Sequence, residues 1–514
     1  LNLLSRSRTT AGLDVVINSA GQAVCRTSIV PGCIPVNIFG TDTLTPAMAN
    51  FLSVDTTTTS RFRRVVAGGS LAGDLFELPA GMVSTAIGVE YRRDSFNIRP
   101  DEVALANDLA AVAVPPIVNS GSFNLFEVFG EVRVPILKDI PAIQSLAVEG
   151  AIRYANYNTI GGALAWKGAI DWEVTDWLRL RGGYSRAIRA PNLSELFSPT
   201  SQGFIGGRDP CLAVNNPSAA QKTLCVAQGV PAAFIDTLTV GASQGFNVES
   251  GGNQNLQEEK ADTITIGAIL RPLPGLVLSL DYYDIKVAGA IAQVGAQVLI
   301  DTCFRTLDAA SVSCQAITRD TFSGNINFVR ASLQNVAERR VRGLDFGARY
   351  GFDLPGFFNI GESSKLDLSL DMSWQFRNAT VPAAGLPTID CAGFYGGACS
   401  SDSVRISPGL RAFAGVDYTS GPVSIRNQFR YIGSLDLLPG APPSQSGTVG
   451  AETYWDISVR GKVYKGLELF AGINNLLDNQ PPVMGFAAGG DSNTNPQLYD
   501  VIGRQFFLGA AVKF

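Results

Sequence analysis

Histidine is absent from all 514 residues. That absence removes imidazole zinc sites, histidine haem ligation and the histidine base of a Ser-His-Asp triad together. Nowhere do eighteen consecutive apolar residues occur, so the sequence offers no transmembrane helix. Charge is scarce, 17% of residues, and nearly balanced: 40 basic against 45 acidic, net -5. A nucleic-acid partner needs a basic footprint, which this composition does not supply. Neither a Walker lysine loop nor a Cys-x-x-Cys zinc pair is present. Gly241-Ala-Ser-Gln-Gly245 has the letters of a nucleophile elbow but lacks a histidine partner, so it reads as loop. Asp491-Ser-Asn-Thr-Asn495 starts like a calcium loop, with Pro496 in place of the glycine and Ile502 in place of the glutamate. The expectation is no catalytic residue, no metal, no cofactor and no enzyme.

What is abundant is apolar residues, at 46%, with 54 glycines and 28 phenylalanines. Apolar content without apolar runs leaves one membrane solution, a closed sheet of alternating strands. From Leu366 to Arg377 every even position is apolar and every odd one polar. Val423, Ile425, Phe429 and Tyr431 alternate with Ser424, Arg426, Gln428 and Arg430; Trp455, Ile457, Val459 and Val463 alternate with Asp456, Ser458, Arg460 and Lys462. Runs of about eleven residues suit a tilted membrane-spanning strand and exceed the usual strand of a soluble sandwich. Connections also alternate. Short turns at 78–81, 138–141, 272–275, 420–422 and 464–466 take turns with long ones near 96–121, 190–258, 290–324, 378–404, 435–450 and 478–497, apart from a short external link at Asn158–Gly161. Short periplasmic turns and long external loops describe an outer-membrane barrel. The predicted fold is all-β: a transmembrane antiparallel up-and-down barrel with about fifteen or sixteen crossings, spanning residues 1–514. Its last strand points Phe506, Leu508, Ala510, Val512 and Phe514 outward. Trp172 and Trp177 fall beside one short turn and Trp374 and Trp455 towards the long-loop ends, with Trp166 deeper, as an interfacial girdle requires.

The eight cysteines form four local pairs in turn-rich stretches rather than in strands: Cys25 with Cys33, Cys211 with Cys225, Cys303 with Cys314, and Cys391 with Cys399. Neighbour pairing closes each loop on itself, and disulfides imply the periplasm or cell surface. Alternation further places Arg405, Arg411, Arg426, Arg430, Arg460 and Lys462 on the lumenal face of successive strands, with Asp281, Asp367 and Asp371 inward on earlier ones. Such a basic stripe can steer an anionic solute such as a ferric chelate. The alternative is that these groups bond a plug or one another, Asp417 and Asp456 being close by.

Four segments, in order, resemble the TonB-dependent receptor family. Gly183-Tyr-Ser-Arg-Ala-Ile-Arg-Ala-Pro-Asn-Leu-Ser-Glu-Leu-Phe197 resembles its mid-barrel motif, carried by Arg186, Arg189, Pro191, Glu195 and Leu196. Asn253 to Asp262 resembles the segment opening the strand after the next large loop, with Glu258 where many members have proline. Gly466 to Asp478 resembles the penultimate strand, and Tyr499 to Arg504, followed by a strand ending in Phe514, the family terminus. The resemblance implies a plug inside a barrel of about twenty-two strands, of which this chain is the last two-thirds, plug and first strands missing; a start at Leu1 without a signal-peptide pattern agrees with truncation. It also implies uptake of a scarce bulky nutrient (ferric siderophore, cobalamin or glycan) across the outer membrane of a Gram-negative cell. The partners implied are outer-membrane lipid, the cargo held by the loops at 190–258 and 290–324, and an inner-membrane energy-coupling complex reached through a plug not present here. The rivals are a passive porin and a surface adhesion or display barrel.

Overall fold

The computed structural model describes residues 2–26, 30–109, 117–239, 245–360, 363–382, 386–400, 406–441, 447–485 and 493–513. Its dominant element is one antiparallel sheet of sixteen strands, fifteen of them on a single path in which every strand pairs with its sequence neighbours along the wall. These are β1 (Thr58–Leu78), β2 (Gly81–Pro100), β3 (Asn119–Ile140), β4 (Ile143–Tyr157), β5 (Gly161–Thr175), β6 (Leu178–Arg189), β7 (Glu259–Leu273) and β8 (Leu276–Gln293). They continue as β9 (Leu333–Asp353), β10 (Ser364–Val381), β11 (Leu410–Ser420), β12 (Val423–Ile432), β13 (Glu452–Tyr464), β14 (Leu467–Asn474) and β15 (Gln505–Val512). The sixteenth, Ile389–Asp390, pairs with the upper end of β10. Among the described residues no pairing joins β1 to β15.

Paired residues share a face, so the register shows what each face carries. One row across β8–β11 reads Tyr282, Leu344, Trp374, Leu410; the row beside it reads Asp281, Asp345, Ser373, Arg411. The first kind of row is exposed and apolar, with Ile87 at 54%, Ile266 at 62% and Leu508 at 82% accessibility. The second carries the charge. A wall with bare apolar side chains on one surface and ion pairs on the other is a lipid-facing barrel wall. Phe429 and Trp455 stack at 5.5 Å and Trp166 and Tyr184 approach to 5.2 Å on the outer face towards the long-loop rim. At the opposite rim Trp177 is half exposed and Trp172 donates its indole N–H to Ala142.

Six of the seven connections on one rim are two-residue turns, several needing positive φ, such as Gly275 (+81°) and Gly466 (+78°), which a Cβ would strain. The seventh, 354–363, is longer and holds the 3-10 turn Gly356–Phe358. Several strands outrun the eleven residues expected: β1 and β9 have 21 and β3 has 22. Their hairpin partners keep bonding above the apolar band, where polar residues continue the ladder. Residues 2–26 and 30–57 also sit on the external rim, tied by Ser5 to Asp108 (2.6 Å) and by Thr57 to Asp101 (2.6 Å). Among the described residues the wall has no central core. The buried apolar clusters lie in and under the external loops instead.

Candidate functional site

The lumenal face is a lattice of opposite charges. Arg181 is bidentate to Asp281 (2.8 and 2.6 Å), Arg349 reaches both Asp371 oxygens through Nη2 alone (2.8 and 2.7 Å), and Arg133 approaches Asp171 at 3.6 Å. Lys167 lies between Glu149 and Glu131. The basic stripe expected from alternation is part of this lattice. Arg426 bonds Asp417 at 3.0 Å, Arg430 approaches Asp456 at 3.5 Å and Asp500 at 4.0 Å, and Arg460 bonds Glu468 at 3.2 Å. Arg411 and Lys462 have no ion pair among the described residues. Arg411 lines a wall recess of about 490 Å³ with Asp345, Arg430 and Gln497. Beside that recess the Tyr499 phenol is pushed up to about 12 by burial. Arg405 lies outside the described residues, as do Gly241–Gln244 of the elbow-like string, Asp491 and Ser492 of the calcium-like string, and Phe514.

A larger recess of about 880 Å³ opens at the external mouth, between the upper ends of β1, β2, β3 and β6. Phe62, Phe96, Phe123 and Tyr157 give it aromatic walls, and Arg64, Arg92 and Arg189 give it cations. Asp94, 3% exposed, accepts both Nε and Nη2 of Arg64 (2.7 and 2.9 Å) and also faces Arg92 at 3.7 Å. One carboxylate therefore serves two guanidiniums and leaves one positive charge in excess. The Arg64 guanidinium also lies 5.6 Å from the Phe62 ring centre. Aromatic faces beside under-compensated guanidiniums suit a flat or aromatic anion. No local pattern in the sequence signals this recess, because its walls come from segments more than a hundred residues apart.

The mid-barrel motif is a structural corner. Period two puts Arg186 and Arg189 on opposite faces. Arg186 points outward and is bidentate to Asp262 (2.8 and 2.9 Å). Arg189 points inward and forks onto two glutamates, Glu259 at 2.6 and 2.7 Å and Glu195 at 2.9 and 3.0 Å. Past Pro191, Asn192 and Glu195 form a capping box for the helical turn Leu193–Phe197. Leu196 is buried with Phe123, Leu125, Leu193 and Leu256. The second motif segment meets the first here, since Asn253 N–H donates to the Glu195 carbonyl at 2.8 Å. The last two segments meet likewise, Arg504 N–H donating to Asp478 at 3.0 Å.

All four expected disulfides form. Cys25 bonds Cys33 across a Cα separation of 6.3 Å, and Cys211 bonds Cys225 across 5.8 Å. Cys303 bonds Cys314 across 4.7 Å, and Cys391 bonds Cys399 across 5.4 Å. The stretches around them are more ordered than turn-rich connections, which corrects the expectation that no cysteine lies in a strand. Cys25 ends the short strand Ala23–Cys25, and Cys33 packs against the buried side chains of Val36, Phe51 and Leu52. Cys399 sits in the 3-10 turn Gly397–Ser400 and is fully buried with Cys391 beneath Phe394 and Leu438. Each bridge thus joins a small apolar cluster, a burial that spacing along the chain does not encode.

The two large loops, also expected as turn-rich connections, instead fold together. Ser201–Gly206, Gly245–Ser250, Ile326–Arg330 and Ile317–Arg319 make a four-stranded sheet, its central pair parallel. Helices Ala219–Ala227 and Ala296–Thr306 pack on it around the Cys211–Cys225 and Cys303–Cys314 bridges. Inside, Arg319 and Asp209 form a buried two-point pair at 2.7 and 2.8 Å. At the tip, Asp320 is held below the usual carboxylate range by the Ser323 N–H, and Phe322 beside it is 87% exposed.

The TonB dependent receptor-like, beta-barrel family matches residues 31–476. The chain belongs to that family. As a solved structure, a variant of the ferric enterobactin receptor of Pseudomonas aeruginosa superposes with a TM-score of 0.58 at 15% identity, covering 88% of this chain and 54% of that one. The siderophore receptor PirA of Acinetobacter baumannii gives 0.55 at 14%, covering 88% and 55%. Such identities speak for the fold alone. The heme/hemopexin utilization protein C of Haemophilus influenzae is 28% identical over 123 residues, 22% of this chain and 16% of that protein. This TonB-dependent barrel thus spans about half the length of the solved receptors it matches.

Proposed function

We propose that this chain forms most of the wall and the external loops of an outer-membrane receptor that takes up an anionic iron chelate, siderophore or haem, rather than catalysing a reaction. The observation that carries it is the mouth recess, where aromatic walls and the shared-carboxylate pair of Arg64 and Arg92 stand at the external opening of a charged lumen. Family membership supports the transport reading. In this reading the cargo docks at the mouth under the disulfide-stapled loops. Arg411 and Lys462, the stripe cations without a carboxylate partner among the described residues, supply what steering the lumen retains. Further strands close the wall between the free edges of β1 and β15, because unpaired backbone is costly in lipid. A plug and an inner-membrane energy-coupling complex, both outside this chain, drive release.

The test is equilibrium binding to the intact purified receptor, followed by tryptophan quenching, with ferric enterobactin and haemin as probes. Arg64→Gln with Arg92→Gln should weaken the recognised chelate at least tenfold, a charge-assisted contact contributing roughly 1.5–3 kcal/mol. Unchanged affinity for both probes in the double variant, with wild-type binding intact, sinks the recess as the cargo site.

A further inference from the structure

Above the apolar band, the outward face of the β1–β2 hairpin changes character abruptly. Its rows, from the middle of the wall upward, pair Leu71 with Ile87, Gly69 with Val89 and Ala67 with Tyr91. The next four pair Val65 with Arg93, Arg63 with Ser95, Arg61 with Asn97 and Thr59 with Arg99. Each of these four rows therefore holds one arginine, immediately above Tyr91, which is 40% exposed on the same face. On the neighbouring strand β3 the positions opposite Arg93, Ser95 and Asn97 are Asn124, Ser122 and Ser120, polar and uncharged.

None of these four arginines has an ion pair among the described residues, and that sets the hairpin apart from the rest of the outer rim. Where outward charges recur on β6–β9 they are matched: Arg186 with Asp262, Lys286 with Glu338 at 3.1 Å, and Arg340 and Arg342 with Asp284 at 2.7 and 2.9 Å. Like charges stacked along one hairpin face repel. That cost is relieved when an anion lies between them. Arginine is the side chain whose planar fork matches phosphate. Immediately above an aromatic girdle is the level at which lipid phosphates lie.

We propose that Arg61, Arg63, Arg93 and Arg99 form a binding site for the phosphate groups of an anionic lipid headgroup in the external leaflet. The site rests on the outer-membrane reading; Arg63, Arg93 and Arg99 stand clear of the cargo recess, while Arg61 also borders its rim. A bound lipid there anchors β1 and β2 at a fixed depth, at the end of the strand path, where β1 pairs on one side only among the described residues.

The intact receptor in zwitterionic detergent is titrated with a bisphosphorylated glycolipid, with phosphatidylcholine and with inorganic phosphate, and complexes are counted by native mass spectrometry. The glycolipid should bind in preference to phosphatidylcholine and release as salt rises. Arg61→Gln/Arg63→Gln/Arg93→Gln should weaken it by ~100-fold, about fivefold per charge removed at a membrane surface. Arg61→Lys/Arg63→Lys/Arg93→Lys should stay within about tenfold of wild type, since charge persists while the fork is lost. Arg26→Gln, on the N-terminal loop, should change nothing. Undiminished binding after the three Arg→Gln changes, no preference over phosphatidylcholine, or full competition by millimolar inorganic phosphate overturns the lipid site. Insertion of the protein into bilayers is scored separately. A receptor that inserts but shows no preference defeats only this inference, whereas one that enters no bilayer defeats the membrane reading as well.

Discussion

Arg319 places a full charge inside the external loop unit, with its side chain wholly buried and Asp209 7% exposed. Desolvating both groups is costly, and the return comes only through complete bonding. Here Nη1 also donates to the Gly324 carbonyl at 3.0 Å and Nη2 to Cys211 Sγ at 3.0 Å, so both terminal nitrogens are bonded twice while the buried Nε has no partner among the described residues. Removing one partner strands the other. Asp209→Ala should therefore destabilise the loop unit by about 3–5 kcal/mol, whereas Asp209→Leu with Arg319→Met should recover most of the loss. Hydrogen exchange over residues 209–238 and 294–331 reads both, and equal protection in the single variant refutes the pair's role. At this scale the sequence was legible where chemistry is local. The four cysteine pairs could be read because each spans 8 to 14 residues. What could not be read was the ordered surroundings of Cys33 and Cys399, since the side chains packed on them come from separate turns. Arg319 and Asp209, 110 residues apart, were equally out of reach. Alternation along β12 and β13 sets a common face for Arg426, Arg430 and Arg460. Their neutralisation by Asp417, Asp456 and Glu468 depends on the register of adjacent strands, which alternation along one strand does not contain.

Among elements, the wall and the loops follow different rules. A wall strand announces itself over ten residues of strict alternation, since lipid and water select every side chain in turn. The loop sheet is built from strands of three to six residues drawn from two loops, held by the parallel pairing of Asn247 with Phe328. Segments that short carry no readable period, and a partner in another loop leaves no local signal. Their stability comes instead from the apolar cluster around Ile300 and Val329 and from the two disulfides, which close loops of 14 and 11 residues. In the loop-entropy account each contributes ~3 kcal/mol. Replacing Cys211, Cys225, Cys303 and Cys314 by serine should unfold the unit locally while leaving the wall intact. Limited trypsin digestion is then expected to cut near Lys222 and Arg305, with the β circular dichroism of the barrel preserved. Resistance equal to wild type would show that the apolar cluster suffices alone.

For the whole molecule, the two faces of the wall answer to two solvents, and substitutions one residue apart test that directly. Ile266 faces outward between Gly182 and Tyr282, in the middle of the apolar run Ile264, Ile266, Ala268, Leu270 of β7. Thr265 faces inward, lining a recess with Asp171 and Asp281. Ile266→Arg carries a charge to the bilayer centre, at a cost of about 2–4 kcal/mol. Thr265→Arg puts the same charge into a polar, water-facing lumen where Glu149, Asp171 and Asp281 stand among Arg133, Arg179 and Arg181, and a surface-like change of within about 0.5 kcal/mol is expected. Urea titration of the intact receptor folded into phosphatidylcholine vesicles measures both, with heat-modified gel mobility reporting the closed barrel. The expected result is a shifted midpoint for Ile266→Arg and an unshifted one for Thr265→Arg. Were the order reversed, with the inward variant destabilised and the outward one silent, the apolar rows would be facing a protein partner or solvent, and the wall would have to be turned inside out relative to the arrangement described above.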